Sequence, residues 1–234
     1  MPELREFAKN VWIVDGPNVR DAGIMFTTRM TVVRLSNGSV WAESPVSVPP
    51  ETLQRITELG PVRYLVAGTP RHVWRLNDWH ALFPKAELWA PKATLFTLKK
   101  GNLPLAGTLG NEPPESWAAD IDQLAFKGNR LIEELIFFHK ATRTIILGDL
   151  IQIHPIVKGK HVRNALWRIE GVTSPHGGVA LDFRLSFTNR NLARKSLEKL
   201  LSWDFDKLII AHGACIKKDA KAFVERAFAW LVHR

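Results

Sequence analysis

Three residues of metal-ligand type follow apolar segments of the chain. His72 comes shortly after "YLVAG", Asp149 ends the run "TIILGD", and His212 ends "LIIAH" directly before a glycine. A neutral imidazole and a carboxylate are good ligands for zinc, iron or manganese. Apolar strands that deliver such side chains to loops are typical of a site in a layered α/β fold. The pattern therefore makes His72, Asp149 and His212 candidate ligands of a metal site.

Each of these residues also has a structural explanation that needs no metal. A histidine at the end of a strand is often hydrogen-bonded within the fold, and an aspartate after a glycine often caps a turn or a helix. The argument for a site rests on the recurrence of one context three times, because a polar side chain at the end of an apolar strand is costly unless it has a partner.

The first half of the sequence predicts antiparallel strands followed by a parallel strand-helix-strand unit. β-Branched and aromatic residues bounded by Gly, Asn and Pro indicate an antiparallel opening. The helical spacing of "ETLQRITELG" follows, and "VRYLVAG", "VWRLNDWHALFP" and "AELWAP" then predict strand, helix and strand. The predicted opening strands are Val11 to Pro17, Met30 to Leu35 and Ser39 to Pro45.

The second half predicts a hairpin and a final strand between helices. Lys99 to Trp117, rich in Gly, Pro and Asn, is interpreted as a surface excursion. Too few residues separate the second and third of the next strands for a crossover, so they must form a hairpin. These strands are Ile121 to Phe126, Glu133 to Ala141 and Arg143 to Ile151; helix Leu192 to Trp203, strand Lys207 to Gly213 and helix Asp219 to Val232 follow.

This order of elements predicts an α/β protein. Two mixed β-sheets packed together and flanked by helices, an αββα four-layer sandwich, accommodate it best. A length of 234 residues with 46% hydrophobic residues suits one domain spanning residues 1–234.

The single cysteine restricts the chemistry. Cys215 excludes an internal disulfide and a cysteine-rich zinc site, so metal ligands must be histidines and carboxylates. We interpret Cys215 as a buried structural residue, with a reactive thiol as the alternative. The segment from Met1 to Asn10 is charged, and no apolar run reaches the ~18 residues of a membrane span. We therefore expect a cytoplasmic protein with no membrane partner.

The net charge of +9 would suit an acidic partner such as nucleic acid. The basic residues are scattered, however, and one of the denser stretches, "VKGKHVR" from Val157 to Arg163, has no interleaved aromatic residue. A nucleic-acid enzyme or binder therefore ranks below a protein that binds a small-molecule substrate or ligand.

The order "VDGPN…MTVVRL…LVAGTPRHVW…FFHKATRTIILGDLI…LIIAHG" resembles the metallo-β-lactamase superfamily, and within it an uncharacterised branch known as a domain of unknown function. The resemblance covers nearly the whole chain, and "TRTIILGDLI" and "KLIIAHG" are its most specific pieces. In the superfamily, Thr-His-x-His-x-Asp-His follows a strand and supplies four side chains to two metal ions. A later His, the Asp of a Gly-Asp motif and a final His before Gly complete the set.

The resemblance places this motif on residues 69–75 and shows it to be degenerate. Thr69 takes the Thr position, but Pro70 stands at the first His, Trp74 at the Asp and Arg75 at the last His. Of the four ligands only His72 survives. Tryptophan cannot coordinate a metal and arginine would repel one, which argues against a dinuclear site.

The two later motifs are better preserved. Asp149 matches the Asp of the Gly-Asp motif and His212 the final His, but no histidine stands near Gly128 to Arg130 for the intermediate ligand. The resemblance thus implies a reduced, mononuclear site in which Asp149 is also catalytic. A metal ion held there would activate water for attack on an ester, lactone or phosphoester.

Several assignments stay open at this point. His80, His139 or Asp15 could supply the general base or a fourth ligand, and Trp74 and Trp79 could line an apolar pocket or pack in the core. The alternative function is a metal-free, catalytically inactive relative that binds a small molecule or a protein partner.

Overall fold

The computed structural model describes residues 2–21, 24–92, 104–130 and 134–232. Its first sheet has seven strands, β1 to β7, that lie side by side in chain order. The pairs from β1 to β4 are antiparallel and those from β4 to β7 are parallel. The strands are Leu4–Ala8, Val11–Asp21, Ile24–Arg34, Val40–Glu43, Val62–Val66, Glu87–Pro91 and Leu105–Leu109.

The second sheet has four strands in the order β11, β10, β9, β8. Strand β10 is antiparallel to β9 but parallel to β11, so this sheet is mixed as well. Strands β9 and β10 are buried along their whole length, because both faces of this sheet are covered and the sequence is correspondingly apolar. The strands are Ile121–Phe126, Glu134–His139, Thr144–Leu147 and Lys207–Ile210.

Helices cover the outer faces of both sheets. Helices α1 and α2 pack on the first sheet through Ile56, Leu76 and Trp79, and the later helices pack on the second sheet. The described helices, α1 to α8, are Pro50–Glu58, Leu76–Leu82, Glu115–Ala118, His161–Ile169, Leu181–Ser186, Arg190–Ser202, Ala220–Ala227 and Ala229–Val232.

A third apolar cluster lies between the two sheets. Trp41 and Tyr64 of the first sheet meet Phe137, Ile146 and Ile209 of the second. Inward-facing side chains of both sheets therefore form one layer of the core, and the two outer clusters form the others. The predicted αββα sandwich of two mixed sheets is confirmed. That residues 1–234 form a single domain stays a prediction.

Two predicted elements were wrong in part, and one strand was not predicted. Strand β1 was missed because its sequence is charged and its two buried residues, Leu4 and Phe7, lie three positions apart and do not follow the two-residue alternation of a strand. Within the predicted surface excursion, Leu105–Leu109 adds strand β7 to the sheet edge, while residues 93–103 lie outside the described residues. The closing helix is two helices separated at Phe228.

No helix within residues 2–21, 24–92, 104–130 and 134–232 is long and apolar enough to cross a bilayer.

Gly213 fixes the end of strand β11. Its φ of +108° lies in the region that favours glycine, and an added Cβ would lie 1.8 Å from the carbonyl oxygen of Ile153. The amide of Ile153 in turn donates a hydrogen bond to the carbonyl of His212, at 3.1 Å. The glycine after His212 therefore permits a close backbone contact that sets the position of this histidine.

We expect Gly213→Ala to reduce the free energy of unfolding by at least about 3 kcal/mol, because both the φ angle and the clash oppose a side chain. Gly159→Ala is a matched control: Gly159 has φ +80° but no atom within 4 Å of an added Cβ. The control should lose only about 1 kcal/mol. Urea unfolding of both variants measures the difference, and equal losses would show that the contact with Ile153 is unimportant.

Candidate metal centre

The three predicted ligands converge at one edge of the sandwich. Leu147 pairs with Ile210 across the parallel strands β10 and β11, and Asp149 and His212 each lie two residues further on. His72 reaches the same point from the loop after β5 of the other sheet. One ligand atom of each residue lies within 4.8 Å of the others. The structure brings together the three residues selected from the sequence, and their binding of a metal stays a prediction.

Both histidines direct the same nitrogen to the same oxygen. The Nε2 atom of His212 lies 2.9 Å from Oδ1 of Asp149, and that of His72 lies 3.5 Å from this oxygen. The two imidazole rings meet edge to face with their centroids 5.6 Å apart. Asp149 is thus the centre of the cluster.

The tautomer of His212 follows from its second contact. Its Nδ1 lies 2.6 Å from the carbonyl oxygen of Thr27, which can only accept, so Nδ1 must carry a proton. Nε2 therefore faces the Asp149 carboxylate either with a second proton or with a lone pair. A lone pair there requires a cation between the two groups, and this is the arrangement of a metal ligand whose other nitrogen is held by the protein.

His72 is oriented by residues that the sequence analysis missed. Its Nδ1 lies 2.6 Å from Oγ of Ser44, and this hydroxyl donates a hydrogen bond to the carboxylate of Glu43. Because the Ser44 proton goes to Glu43, the His72 Nδ1 donates and Nε2 turns to Asp149. The available signal was Glu43 itself, a charged residue within an otherwise apolar strand that is completely buried.

Burial and neighbouring charges shift the pKa values of this cluster in opposite directions. Burial lowers the pKa of His72, but the carboxylates of Asp149 and Glu43 outweigh it and raise this pKa to about 9. Burial raises the pKa of Asp149, yet His72 and His212 hold it well below its usual range. Burial also raises the pKa of Glu43. Asp149 is therefore held in its ionised form.

Glu134 shapes the turn that presents Asp149. Its two carboxylate oxygens accept hydrogen bonds from the backbone amides of Gly148, Asp149 and Leu150, at 2.7, 3.0 and 2.8 Å. Burial and the nearby Asp149 charge raise the pKa of Glu134 to about 8. The sequence analysis placed Glu134 at the start of a strand without a role, although a glutamate beside "LIFF" was a signal for a buried contact.

The degenerate motif contributes through two residues only. Besides His72, Thr69 is fully buried and donates a hydrogen bond from Oγ1 to Oδ2 of Asp149, at 3.2 Å. Trp74 is 63% exposed, and Arg75 pairs with Asp78 on the surface. Trp74 and Arg75, at two positions where the resemblance expects metal ligands, therefore lie at the rim of the site.

None of the three further candidates from the sequence reaches the cluster. His139 is buried and its Nδ1 lies 2.7 Å from the Thr142 hydroxyl, while Asp15 pairs with arginines on the first sheet. His80, His139 and Asp15 are all absent from the described residues that line the cavity above the cluster. A fourth protein ligand does not come from these residues.

A cavity of about 930 Å³ opens above the three residues. Its walls are mainly apolar, and its aromatic members are Phe26, Trp74, Trp167 and Phe183. Trp79, by contrast, is buried in the core and donates its indole N–H to the carbonyl of Val46. Of the two tryptophans considered from the sequence, Trp74 thus lines the pocket and Trp79 packs in the core.

Cys215 lies outside this cavity. Cys215 is a free cysteine, and burial raises the pKa of its thiol, which disfavours the reactive thiolate. The guanidinium of Arg29 contacts its sulfur at 3.0 Å and also donates to the carbonyls of Ile210 and Gly213. The surroundings favour the structural interpretation of Cys215.

Comparison with known proteins identifies one family model. The model described as "Domain of unknown function (DUF4336)" matches residues 9–158. No curated protein matches the sequence.

Solved structures with this fold are metallo-β-lactamases and related proteins. The DIM-1 metallo-β-lactamase is 16% identical over 98% of both chains with a TM-score of 0.63. A metallo-β-lactamase from Pontibacter korlensis is 10% identical over 100% of both chains, also with a TM-score of 0.63. A flavo di-iron protein from Thermotoga maritima is 12% identical, covers 99% of this chain and 63% of its own, and has the same TM-score. Identities this low establish the fold alone.

Replacing Glu134 tests its role in the turn. Above the Glu134 pKa of about 8, Glu134→Gln should reduce the free energy of unfolding by about 1–3 kcal/mol, because an amide N–H₂ would face a backbone N–H that the carboxylate binds. Glu225→Gln is the control and should change little, since this exposed side chain forms no hydrogen bond or ion pair with the described residues. Urea unfolding provides the measurement, and equal stability of the two variants would contradict the assignment.

His154 should make stability depend on pH. It is buried beside His212, donates from Nε2 to Gln152, and burial lowers its pKa to about 2. His154 therefore stays neutral in the folded protein, whereas in the unfolded chain it binds a proton below pH ~6.5. As the pH is lowered below this value, the free energy of unfolding should fall by up to ~1.4 kcal/mol per pH unit. In urea unfolding at a series of pH values, the free energy of unfolding of His154→Gln should depend less on pH below ~6.5 than that of wild type. Parallel curves for both proteins would contradict this prediction.

Proposed function

The chain belongs to the DUF4336 family, and from this premise and the geometry of the site we propose that it is a metal-dependent hydrolase with a reduced, mononuclear site. His72, Asp149 and His212 would hold one divalent ion, zinc, iron or manganese. The substrate would be a small ester, lactone or phosphoester, and we place the activity in the cytoplasm.

One observation carries this proposal. Two imidazoles donate their Nδ1 protons away from the site and turn Nε2 to a single buried carboxylate oxygen. Two histidines and a carboxylate with open positions form a recognised donor set for a catalytic divalent ion. When bound, such an ion acts as a Lewis acid and activates water.

The chain's own residues supply orientation and substrate binding. Glu43, through Ser44, holds His72 in the required tautomer, and Thr69 holds the second oxygen of Asp149. Asp149 is the catalytic residue of this proposal because its carboxylate would contact the ion at which water is activated. The apolar walls of the cavity would take the apolar part of a substrate, and Arg71, 5.7 Å from the Phe183 ring centre, would attract an anionic part.

A second candidate function is a metal-free relative that binds a small molecule or a protein partner without catalysis. The 2.9 Å contact between His212 and Asp149 has the length of a hydrogen bond, and the pKa of His72 near 9 keeps that ring protonated. The imidazolium of His72 would then balance the Asp149 charge in place of a metal.

Metal analysis separates the two functions. We expect the protein, purified without a metal-binding tag, to contain about one equivalent of zinc, iron or manganese and to gain thermal stability when that ion is added. His212→Ala should lower metal affinity at least about 100-fold, because a ligand is lost. His176→Ala, which changes an exposed histidine whose backbone carbonyl bonds Arg226, should retain the metal.

Hydrolysis of aryl esters, lactones and aryl phosphodiesters should then disappear on chelation and return when the ion is restored. Equal metal content in wild type and His212→Ala would contradict the proposed ligand set. No metal after incubation with each ion would favour the metal-free function, in which His212→Ala costs only a hydrogen bond to a charged group, about 1.5–3 kcal/mol.

A further inference from the structure

Helix α4 turns its apolar side chains away from the protein. Val162, Leu166 and Ile169 are 77%, 46% and 67% exposed, whereas Asn164 and Trp167 are buried. At 100° per residue the three exposed side chains share one face, and the two buried ones lie on the opposite face. A surface helix normally buries its apolar stripe, so this helix is reversed.

Further exposed apolar side chains lie before and after this helix in the chain. Ile156 and Val157 are exposed in the loop that leads into α4. Helix α5 begins beside its end, because the amide of Leu181 donates to the carbonyl of Glu170, and its Leu185 is 74% exposed. Seven of the twelve large exposed hydrophobic residues in the described part of the chain lie between residues 156 and 185, on α4, on α5 or in the loop before α4. We call this set the apolar face: Ile156, Val157, Val162, Leu166, Ile169, Leu181 and Leu185.

Basic side chains border the apolar face. Lys158 and Lys160 stand exposed in the loop before α4, and Arg168 is exposed on the helix beside Ile169. None of the three forms an ion pair with another described residue. The nearby carboxylates, Glu170 and Asp182, line the cavity and accept backbone hydrogen bonds there. The border of the face therefore carries three cations against two carboxylates and is net positive.

Charge and composition together select the partner. A second copy of the chain seated on this face would bring two sets of lysines and arginines together, which opposes a symmetric dimer. A nucleic acid would satisfy the charge, but the face offers aliphatic side chains and no exposed aromatic residue on which bases could stack. An anionic bilayer surface satisfies both features, since it accepts aliphatic side chains between headgroups and attracts the surrounding cations.

We propose that the apolar face docks on an anionic lipid bilayer. Leu166 belongs both to this face and to the cavity lining, so docking places the cavity opening at the membrane surface. The expectation of no membrane partner rested on the absence of a spanning segment, and a helix that lies in the interface needs none. The proposal does not depend on whether the site binds a metal.

Vesicle co-sedimentation tests the proposal on the full chain. We expect wild type to bind vesicles of phosphatidylcholine with about a quarter phosphatidylglycerol, to bind pure phosphatidylcholine much less, and to dissociate in high salt. Lys158→Gln with Lys160→Gln should weaken binding about 30-fold, since each lysine near an anionic surface contributes about a five-fold factor. Val162→Ser with Ile169→Ser should weaken it about ten-fold or more.

Matched controls lie on the opposite outer layer. Leu82 at the end of α2 is 55% exposed and Lys85 is exposed nearby, and this helix packs on the first sheet. Leu82→Ser with Lys85→Gln should bind vesicles as wild type does. All changes are at exposed positions, and an unchanged melting temperature would establish that each variant is folded.

Three outcomes would overturn the proposal. Wild type could fail to bind anionic vesicles, or the variants of the apolar face could bind as well as the control. Sedimentation velocity could also reveal a dimer that Val162→Ser with Ile169→Ser dissociates, which would assign the face to a second copy. Binding that is lost in the face variants but kept in the control supports the bilayer.

Discussion

The arrangement of the site depends on one buried carboxylate. Asp149 is 3% exposed and ionised, and an unpaired charge in such a position would be strongly destabilising. Its balance comes from His72 and His212, which approach the same oxygen from different sheets. The two sheets must therefore meet with their strand ends at a fixed separation, and the positive charge between these groups is either protons or a metal ion.

The surrounding frame is built to hold this geometry. Parallel pairing of β10 and β11 places Asp149 and His212 at equivalent positions, and Glu134 fixes the turn between strand and carboxylate. Gly213 allows the backbone to close behind His212. Most of these contacts involve backbone amides and carbonyls, so the site would keep its shape when the exposed positions of the old motif, such as Trp74, change.

The sequence predicted the sandwich and the three central residues because each depended on a local pattern. Apolar runs ending in Gly-Asp or His-Gly mark strand ends, and both lie within short segments. Ser44 and Glu43 could not be assigned in this way, because their contact with His72 joins distant parts of the chain. The outward face of α4 could not be predicted, since periodicity identifies an apolar face without saying which side is covered.

The sequence separations in the site have a consequence for the order of events in folding. His212 is 63 residues from Asp149 and 185 from Thr27, its other partner. No short segment of the chain therefore contains both residues of either contact. The entropy lost in closing such long loops is offset by burial of the apolar layers and not by contacts among the ligands. We therefore expect both sheets to assemble before a metal ion could be held, unlike in a zinc finger, where the metal drives folding. Loss of a ligand would then leave the fold in place.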